Sequence, residues 1–505
     1  MTPKAIRTWR RLVLFLAALV PLLTAGAAEA HGFGQRFDLP LPLWLWVTGA
    51  GASIVLSFVV AAIFIRETPA ARGYPSIDLL RYPALRWLAS PPVVALFRIT
   101  GVFVFLLSVT AGFLGAQDSY DNLIVTMIWV IWWVGVAFIC ALVGNLWRLI
   151  NPLSTIYGAL QWLVRKVTGW PLTLRLAYPR WLGKWPAFLF YLGFAWLELA
   201  WPESDIPRSI AHATLNYAII TFIGMFLFGR RVWLENGEAF TIAFGVLQRF
   251  APLHLADVGG GRRLELRPYG AGLKDSSDVT VSLYGFVLLM LSTVTFDGFL
   301  ETPLFRDVAT AVYRYPAIDR LLFMISDYGP TERQSLLTVL LILFPLAFML
   351  IFWLTSLVMV WITRRLGYPG GSAPAIGGGR AALAFVLTLV PIAVAYHLAH
   401  YFTFLFTTGQ YIIPLMSDPF GTGADYLGTA GYKVNLTLLS PYFYWYASVV
   451  IIIIGHVIAV YLAHVMAFKL FLTRRAALIS QIPMVILMVL YTSLSLWILA
   501  QPIVE

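Results

Sequence analysis

Cysteine and charged residues are both scarce in this chain of 505 residues. The single cysteine, Cys140, excludes an intrachain disulfide, and its position inside an apolar run is typical of a small core residue. Charged residues make up 12% of the chain, against roughly 25% in soluble domains, while 60% of the residues are hydrophobic and the mean hydropathy is +0.80. The composition therefore excludes an ordinary soluble domain and predicts a protein of the lipid bilayer.

Familiar catalytic motifs are also missing. The chain contains no H-x-H-x-D-H string, no H-E-x-x-H helix, no G-x-S-x-G elbow and no P-loop, so the usual soluble routes to hydrolysis are not indicated. The absence of C-x-x-C-H excludes covalently attached haem. A net charge of +11 comes without any nucleic-acid motif, so we expect no nucleic-acid partner and assign the surplus to membrane topology.

Long apolar runs follow a signal-like N-terminus. Residues 1–30 join a basic start to an apolar stretch and end on Ala28-Glu29-Ala30, which predicts a cleaved signal peptide and makes His31 the mature N-terminus. We expect residues 31–505 to form a single multi-pass helical membrane domain. A span needs ~20 apolar residues, and we predict an all-α transmembrane bundle of about ten spans. The predicted spans cover residues 41–65, 93–115, 122–147, 185–201, 210–229, 279–300, 335–363, 381–413, 443–468 and 479–501.

Lys and Arg fall mainly in every second connection between these spans. The second and fourth connections are short and acidic, with Gln117-Asp118-Ser119-Tyr120-Asp121 and Glu203-Ser204-Asp205. Because basic connections tend to stay cytoplasmic, the pattern predicts a bacterial inner-membrane protein with both mature termini in the periplasm. The sixth connection is an exception to this pattern, since it carries Arg306, Arg314, Arg320 and Arg333.

The longer connections and one span carry further signals. Residues 153–166 and 238–253 mix aromatic and aliphatic residues with Arg and Lys, which predicts interfacial helices. Residues 302–334 are long enough to fold over the outer surface. Pro391, inside the long span 381–413, predicts a kink or a tilt.

Four of the seven histidines lie inside two apolar spans of the last third. They are His397 and His400 in the first span, and His456 and His464 in the second. The two spans run in opposite senses, so His400 and His456 are expected at a similar depth, where one metal ion could bridge them; His464 is expected about 12 Å deeper. Ionisable residues in a membrane interior are costly and usually functional, although a single neutral histidine can simply bond to a neighbouring helix.

Carboxylates at the outer ends of the spans extend this pattern. Asp297 ends the sixth span, Glu198 ends the fourth and Asp418 follows the eighth; His212 opens the fifth. Together with His31 and His400, they predict an outer-leaflet set of oxygen and nitrogen ligands suited to Zn, Mn or Cu. Such an ion could activate water and polarise a phosphoryl or carbonyl oxygen. For each carboxylate alone, a helix cap or an interfacial ion pair is the alternative. Arg98, in the second span, could pair with a carboxylate or hold an anionic group.

Several strings spread along the chain resemble those of one family, the bacterial multi-pass membrane proteins named after fenitrothion hydrolase. The matching strings are His31-Gly32 with Asp38-Leu39-Pro40-Leu41-Pro42, Asn151-Pro152-Leu153-Ser154-Thr155-Ile156-Tyr157, Gly237-Glu238-Ala239-Phe240, Arg249-Phe250-Ala251-Pro252, Phe296-Asp297-Gly298, Ala399-His400-Tyr401, Gln410 with Ser417-Asp418-Pro419, and Gly455-His456 with Leu462-Ala463-His464. The resemblance implies hydrolysis of aryl phosphorothioate triesters to a nitrophenol and a dialkyl thiophosphate. It carries over no catalytic residues.

The residues alone indicate a polytopic membrane protein with an outer-facing site of His and Asp side chains. The resemblance adds the expectation of a membrane-bound phosphoric triester hydrolase that acts on a small apolar organophosphate arriving through the lipid bilayer. A metal held by His400 and His456, with Asp297 or Asp418, would activate water for attack on phosphorus; His397, His464 and His31 are further candidate ligands. Two alternatives stay open. One is a transporter or metal-handling protein with the histidines on a permeation path, and the other is a haem protein with His400 and His456 as axial ligands.

Overall fold

The structure is a computed structural model, and it describes residues 41–64, 74–258, 261–326, 331–368, 376–435, 437–471 and 473–501. The predicted signal peptide, residues 1–30, and the candidate ligand His31 lie outside the described residues. Within these ranges most residues are helical, and three short strands form one small antiparallel sheet. The predicted all-α transmembrane bundle is confirmed.

The helices are numbered here in chain order. They are α1 (Leu43–Phe64), α2 (Pro83–Leu88), α3 (Pro91–Leu114), α4 (Leu123–Leu142), α5 (Leu146–Ile150), α6 (Pro152–Thr168), α7 (Trp185–Leu199), α8 (Pro207–Phe228), α9 (Arg230–Asn236), α10 (Ala239–Gln248), α11 (Val281–Leu300), α12 (Pro303–Arg314), α13 (Pro316–Ser326), α14 (Glu332–Gly367), α15 (Gly378–Ser417), α16 (Pro441–Leu470) and α17 (Arg474–Leu499). Short 3₁₀ turns at Leu79–Arg81 and Ala271–Leu273 complete the helical elements.

Nine helices of the described chain are long and apolar enough to cross a membrane: α1, α3, α4, α8, α11, α14, α15, α16 and α17. The predicted span at residues 185–201 corresponds to α7, which has 15 residues and is shorter than the ~20 that a span needs. It ends at Leu199, just before Trp201-Pro202, because a residue that precedes proline disfavours the helical conformation. α7 still packs in the core through Ala187 and Tyr191.

The centre of the bundle is formed by α11 and α15, whose residues are mostly buried by the surrounding helices. α15 runs beside α16, and Gly455 permits their close approach, since a Cβ there would come within 2.7 Å of the Pro391 carbonyl oxygen. A 3₁₀ turn at Val386–Leu389 interrupts α15 just before Pro391, where the sequence predicts a kink. The two central helices therefore meet their neighbours at short range and hold their polar side chains inside the bundle.

With one exception, connections of like charge lie at the same end of the bundle. Residues 115–122, 200–206, 418–435 and 437–440 lie at one end. There, Ala116 N donates to Phe420 O at 2.8 Å, and Trp129 Nε1 donates to Ser204 O at 2.8 Å. We call this the acidic end, because it carries the two short acidic connections. Residues 302–326, with their arginines, start from the same end, where α11 finishes.

The opposite end, which we call the basic end, is formed by residues 74–90, 143–184, 229–258 and 261–280. Leu253 N donates to Val143 O at 3.0 Å, and Lys274 Nζ lies 3.3 Å from the centre of the Tyr74 ring. The alternation of the basic and acidic connections along the sequence thus corresponds to two distinct ends of the described bundle.

Two connections differ in how well the sequence anticipates them. Residues 153–166 lie in helix α6, as predicted. The prediction of one interfacial helix over residues 238–253 is wrong. α10 ends at Gln248 and most of its residues are buried, and a strand begins at Leu253. The strands β1 (Ile77–Asp78), β2 (Leu253–Val258) and β3 (Gly261–Leu266) form an antiparallel sheet in the order β1-β3-β2.

Candidate active site

Asp297 lies in the last turn of α11, at the acidic end of the most buried part of the bundle. The preceding residues of α11 are apolar or small and nearly all buried, so the helix must run through the core until it reaches Asp297. The Asp297 side chain is 20% exposed, and that of its partner His400 is 16% exposed. The carboxylate is therefore held by the core without being sealed in it.

α15 supplies two groups to this carboxylate. His400 Nε2 and the hydroxyl of Tyr401 each lie 2.8 Å from the same oxygen, Asp297 Oδ2. The Tyr401 hydroxyl also lies 3.5 Å from Oε1 of Glu198, which is on α7. We call Glu198, Asp297, His400 and Tyr401 the Asp297 cluster; it joins three helices at one point.

Gly298 makes this close approach possible. A Cβ at this position would lie 2.8 Å from the Tyr396 hydroxyl, 2.7 Å from Ile498 Cγ2 and 3.4 Å from His400 Cε1. The ring of Tyr396 stacks against that of His400, with centroids 6.0 Å apart and planes 15° apart. The residue after Asp297 therefore has to be small for the imidazole to lie against α11.

Trp133 borders the cluster from α4. This part of α4, Met127–Val136, is a π-helical segment. The Trp133 side chain is buried, lies beside Glu198 and Tyr401, and has its ring centroid 5.5 Å from that of His397. Its indole therefore closes one side of the site with an apolar face.

The hydrogen bonds define what His400 can do. An ionised Asp297 accepts from His400 Nε2–H, and a neutral imidazole that donates from Nε2 carries its free lone pair on Nδ1. Within the described chain no residue forms a hydrogen bond with His400 Nδ1. A carboxylate that orients an imidazole while the other ring nitrogen stays basic is the arrangement of a general base.

The other histidine of this helix, His397, is not part of the cluster. Its ring is buried against Trp133, Phe138 and Tyr401, with centroid separations of 5.5, 5.8 and 4.8 Å respectively. Its Nε2 is buried and has no hydrogen-bond partner among the described residues. His397 therefore contributes mainly packing next to the site.

His456 lies on α16, two aromatic rings away from His400. His456 contacts Tyr491 with centroids 6.2 Å apart, Tyr491 contacts Tyr396 at 6.2 Å, and Tyr396 stacks on His400. His456 Nδ1 pairs with the carbonyl of Ile452 at 2.9 Å. The described contacts thus connect the two histidines through tyrosines, and the metal or haem predicted between them stays a prediction.

His464 and Asp418 lie in other environments. His464 is fully buried on α16, and its Nδ1 is 3.1 Å from Gln481 Oε1. Asp418 closes a loop at the acidic end, where its carboxylate accepts from Thr422 Oγ1 at 3.2 Å and from Ala424 N at 3.0 Å. Burial opposes but does not outweigh these loop hydrogen bonds, so the pKa of Asp418 lies below its usual value. Neither residue contacts the Asp297 cluster.

Two further sequence candidates lie on the surface of the described bundle. His212 is exposed on α8, with its Nδ1 2.8 Å from Arg208 O and its ring against Phe113. Arg98 is exposed on α3, so it is not packed inside the protein and can extend its guanidinium along the helix. Both residues are outside the candidate site.

The predicted divalent metal can be compared with the donors that are present. The described residues contain no group of three or more His, Cys, Asp or Glu side chains arranged to hold a metal ion. Around Asp297 the only nitrogen ligand in hydrogen-bonding contact is His400 Nε2, within the part of the chain that is described. A Zn, Mn or Cu ion therefore stays a prediction.

Another carboxylate, Glu238, is fully buried and lies near the basic end. It begins α10 and accepts hydrogen bonds from the Tyr217 hydroxyl at 2.5 Å, from Phe240 N at 3.0 Å and from Thr241 N at 2.7 Å. The Thr241 hydroxyl also donates to it, and Asn151 Nδ2 reaches the same hydroxyl at 3.5 Å. Glu238 is a saturated helix cap.

Sequence reasoning placed Asp297, His400 and Glu198 in one outer-leaflet set but did not anticipate the direct contacts among them, and it added His212 and Asp418, which lie elsewhere. It missed Tyr401, Tyr396, Trp133 and Gly298. Tyr401 adjoins His400 in the sequence, and neighbours on a helix point about 100° apart, so nothing in the spacing indicates that both reach one carboxylate oxygen. The Gly that follows Asp297 was the available signal, since glycine inside a helix usually marks a close approach.

Comparisons with known proteins add no assignment to this geometry. No family model, no curated protein and no solved structure matches the chain.

Proposed function

We propose that this protein is a membrane-embedded hydrolase of apolar aryl phosphotriesters, with His400 as general base and Asp297 as its orienting carboxylate. The observation that supports the proposal is the 2.8 Å contact between His400 Nε2 and Asp297 Oδ2, in a pair that is 16% and 20% exposed. A sealed pair could not meet a substrate, and a fully solvated pair would not hold one geometry.

The reaction follows from the hydrogen bonds. A water molecule gives a proton to His400 Nδ1 while its oxygen forms a bond to phosphorus, and the bond from phosphorus to the aryl oxygen breaks. The electron pair of that bond leaves on the nitrophenolate, a good leaving group that needs little acid catalysis. The imidazolium then returns its proton to solvent or to the nitrophenolate. The products are a nitrophenol and a dialkyl thiophosphate.

The neighbouring side chains have supporting roles. Asp297 selects the tautomer with the proton on Nε2 and stabilises the imidazolium that forms. The Tyr401 hydroxyl donates to the same carboxylate oxygen and fixes its orientation. Tyr401 is therefore a positioning residue. The buried rings of Trp133 and Tyr396 pack beside the cluster and hold it in an apolar environment.

The surroundings suit an apolar substrate. The cluster lies in a bundle of membrane-spanning helices, so a compound that dissolves in lipid can reach its outer edge laterally. With the basic end in the cytoplasm, the acidic end and the site face the periplasm of the bacterial inner membrane. The end of α17 at Leu499 then also lies on the periplasmic side.

The test is nitrophenol release from a fenitrothion-type phosphorothioate by the full chain purified in detergent. Because general-base catalysis contributes about 10²–10⁴-fold, we expect His400→Asn to lower kcat/KM by that factor. His212→Asn is the matched control, since this exposed histidine at the acidic end does not contact the cluster, and its rate should equal that of the unmodified chain. Undiminished release by His400→Asn would remove the assignment. Elemental analysis of the same preparation tests the predicted divalent metal.

A second candidate, transport coupled to protons, is favoured by a separate observation. His456 Nε2, the Tyr396 hydroxyl and Ser495 Oγ are all buried and have no hydrogen-bond partner among the described residues. Buried polar atoms of this kind are usually satisfied by water or by a ligand. The ring contacts from His456 through Tyr491 and Tyr396 lead from them to His400.

Proteoliposomes separate the two candidates. A transporter would move protons down an imposed pH gradient, or move a solute driven by that gradient, without releasing nitrophenol. His456→Phe would abolish that flux. A hydrolase would release nitrophenol at the same rate with or without a gradient. The His212→Asn variant again serves as the control for a histidine outside the bundle core.

A further inference from the structure

A groove of about 420 Å³ lies at the acidic end, beside the site but outside it. It is formed by the end of α11, one face of α12 and the start of α14. Its lining residues are Leu300, Glu301, Phe305, Arg306, Ala309, Thr310, Tyr313 and Arg333.

The sequence builds this groove in a simple way. Thr302 caps α12 by accepting from Phe305 N at 3.2 Å, which turns the chain sharply after α11. The Phe305 ring then packs on Phe299, with centroids 5.8 Å apart. From Arg306 to Tyr313, the lining residues of α12 recur at helical spacing and present one face to the groove.

The charge of the groove is unbalanced. Arg306 and Arg333 are exposed, and neither forms an ion pair with another of the described residues. Glu301 is the one carboxylate in the lining, so two guanidinium groups and one carboxylate leave a single positive charge. Glu332 also acts on this region, because together with burial it raises the pKa of Tyr313, which Arg333 lowers.

The chemistry of the lining points to an amphiphilic anion. Arginine binds phosphate-type oxygens in pairs of hydrogen bonds, and one net positive charge suits a monoanion. Leu300, Phe305 and Ala309 form an apolar floor on which alkyl groups can lie. A monoanion that carries alkyl groups on a tetrahedral phosphorus satisfies both requirements.

We propose that this groove binds a phosphodiester monoanion. The group can come from an anionic phospholipid of the surrounding leaflet, or from a small soluble dialkyl phosphate or thiophosphate. This inference goes beyond the proposed hydrolysis and stands without it. It also accounts for Arg306 and Arg333 in the sixth connection, where the sequence otherwise places few cations at this end.

The position of the groove links it to the Asp297 cluster. Leu300 and Glu301 follow Asp297 by three and four residues, so all three lie on one side of α11, about one turn or 5.4 Å apart. If the proposed hydrolysis is correct, the anionic product forms one helical turn from a groove suited to receive it.

Binding is measured directly by isothermal titration of the detergent-purified chain with diethyl thiophosphate. A second arm measures retention of phosphatidylglycerol against phosphatidylcholine from nanodiscs of stated composition. Saturable binding of the soluble anion assigns the groove to small phosphodiesters, and selective retention of phosphatidylglycerol alone assigns it to lipid headgroups. No saturable binding of either probe would overturn the proposal.

Charge variants locate the binding. Because a hydrogen bond to a charged group is worth enough for about a tenfold change in affinity, Arg306→Gln and Arg333→Gln should each weaken binding by about tenfold or more. Arg314→Gln removes the same charge from the same helix outside the lining and should leave affinity unchanged. Glu301→Gln should tighten binding. An equal loss in Arg314→Gln would mean a diffuse charge effect and would contradict the groove.

The result does not depend on the outcome for hydrolysis. The Asp297→Asn variant, in which the proposed catalysis is removed, should bind diethyl thiophosphate as tightly as the unmodified chain. If hydrolysis is absent and binding is present, the proposed function fails and the groove stands.

Discussion

Two carboxylates, Glu238 near the basic end and Asp297 at the acidic end, are held by the same bundle in opposite ways. Glu238 is completely buried and accepts four hydrogen bonds, which come from Tyr217, Phe240 and Thr241. Asp297 is partly exposed, and both of its hydrogen bonds go to the single oxygen Oδ2. Glu238 therefore has all its acceptor positions occupied. Within the described chain, Asp297 keeps one carboxylate oxygen free to accept hydrogen bonds and remains partly accessible from outside the bundle.

The number of free acceptor positions on a carboxylate distinguishes a residue that stabilises the fold from one that can take part in a reaction. Both residues occur in strings that resemble the same family, Gly237-Glu238-Ala239-Phe240 and Phe296-Asp297-Gly298, so the sequence treats them alike. A buried carboxylate with every lone pair occupied can only stabilise the fold. A carboxylate that orients a histidine with a free nitrogen can support chemistry.

The largest expected effect comes from Asp297→Asn. The amide cannot accept the Nε2 proton in the same way or stabilise an imidazolium, so nitrophenol release should fall about 10²–10⁴-fold. Thermal unfolding, followed by tryptophan fluorescence, should change little, because the site is partly exposed. If the variant lost stability and kept its activity, Asp297 would have the same structural role as Glu238, and the proposed difference between the two residues would be wrong.

Asp205→Asn is the control for this change, since Asp205 is exposed at the same end and outside the cluster. Asp418→Asn tests the catalytic role predicted from sequence for a residue that the structure places in a loop. We expect less than about a twofold change, on the usual scale of surface substitutions. A loss as large as that of Asp297→Asn would show that the cluster is not the whole site.

Glu238→Ala should give the next largest effect, on stability. Removing the cap leaves the backbone amides of Phe240 and Thr241 without their acceptor in the core, which costs about 2 kcal/mol in the free energy of unfolding. Activity per folded molecule should stay the same. Glu235→Ala is the control, because this exposed partner of Arg231 should cost less than about 1 kcal/mol. Equal losses in the two variants would contradict the role assigned to saturation.

Gly298→Ala tests the geometry of the Asp297 cluster without altering any charge, because it adds only a methyl group next to Asp297. The new Cβ would lie 2.8 Å from the Tyr396 hydroxyl and 3.4 Å from His400 Cε1, so the imidazole must shift. Because small displacements of a catalytic group are costly, we expect activity to fall about tenfold. Gly193→Ala places the same methyl group on α7 with nothing within 4 Å, and its activity should be unchanged.

The smallest effect concerns acid sensitivity at the basic end, at His254 on β2. Burial, and then the charge of Arg267, lowers the pKa of His254 from its usual 6.5. The unfolded chain therefore takes up the proton first, so this contribution to stability is present above pH 6.5 and is lost as the pH falls below it. His254→Gln should flatten the fall of the Tm as the pH drops below about 6.5, relative to the unmodified chain. An unchanged slope would assign the acid sensitivity to other groups.

Much of the fold could be predicted from the sequence, because the apolar runs carry it. Long spans without charge leave few alternatives to helices, and the alternation of basic and acidic connections identified the two ends. α7 was overestimated, since apolar residues around Trp201-Pro202 continue the hydropathy signal beyond the end of the helix. The hairpin β2–β3 was missed because its strands are short and polar, with no alternation strong enough to indicate a sheet.

The candidate site was predicted in part. Buried ionisable residues are rare enough in a membrane protein that Asp297, His400 and Glu198 could be named from their positions alone. Which of them meet depends on the rotation of α7, α11 and α15 about their axes, and hydropathy says little about rotation when a helix is apolar on all sides. The depth of His400 and His456 in the membrane could be estimated from the sequence. The presence of Tyr396 and Tyr491 between the two histidines could not be predicted.

The π-helical segment Met127–Val136 has a consequence for changes in the length of this chain. Backbone hydrogen bonds in this segment join residues i and i+5, whereas those of an α-helix join residues i and i+4. The segment therefore contains more residues per turn than an α-helix of the same length. Deleting one residue within it could be absorbed by rewinding, which would leave the flanking turns in register but swing the indole of Trp133 out of its place beside Tyr401. The same deletion in α11 would rotate everything beyond it by about 100° and point Asp297 elsewhere.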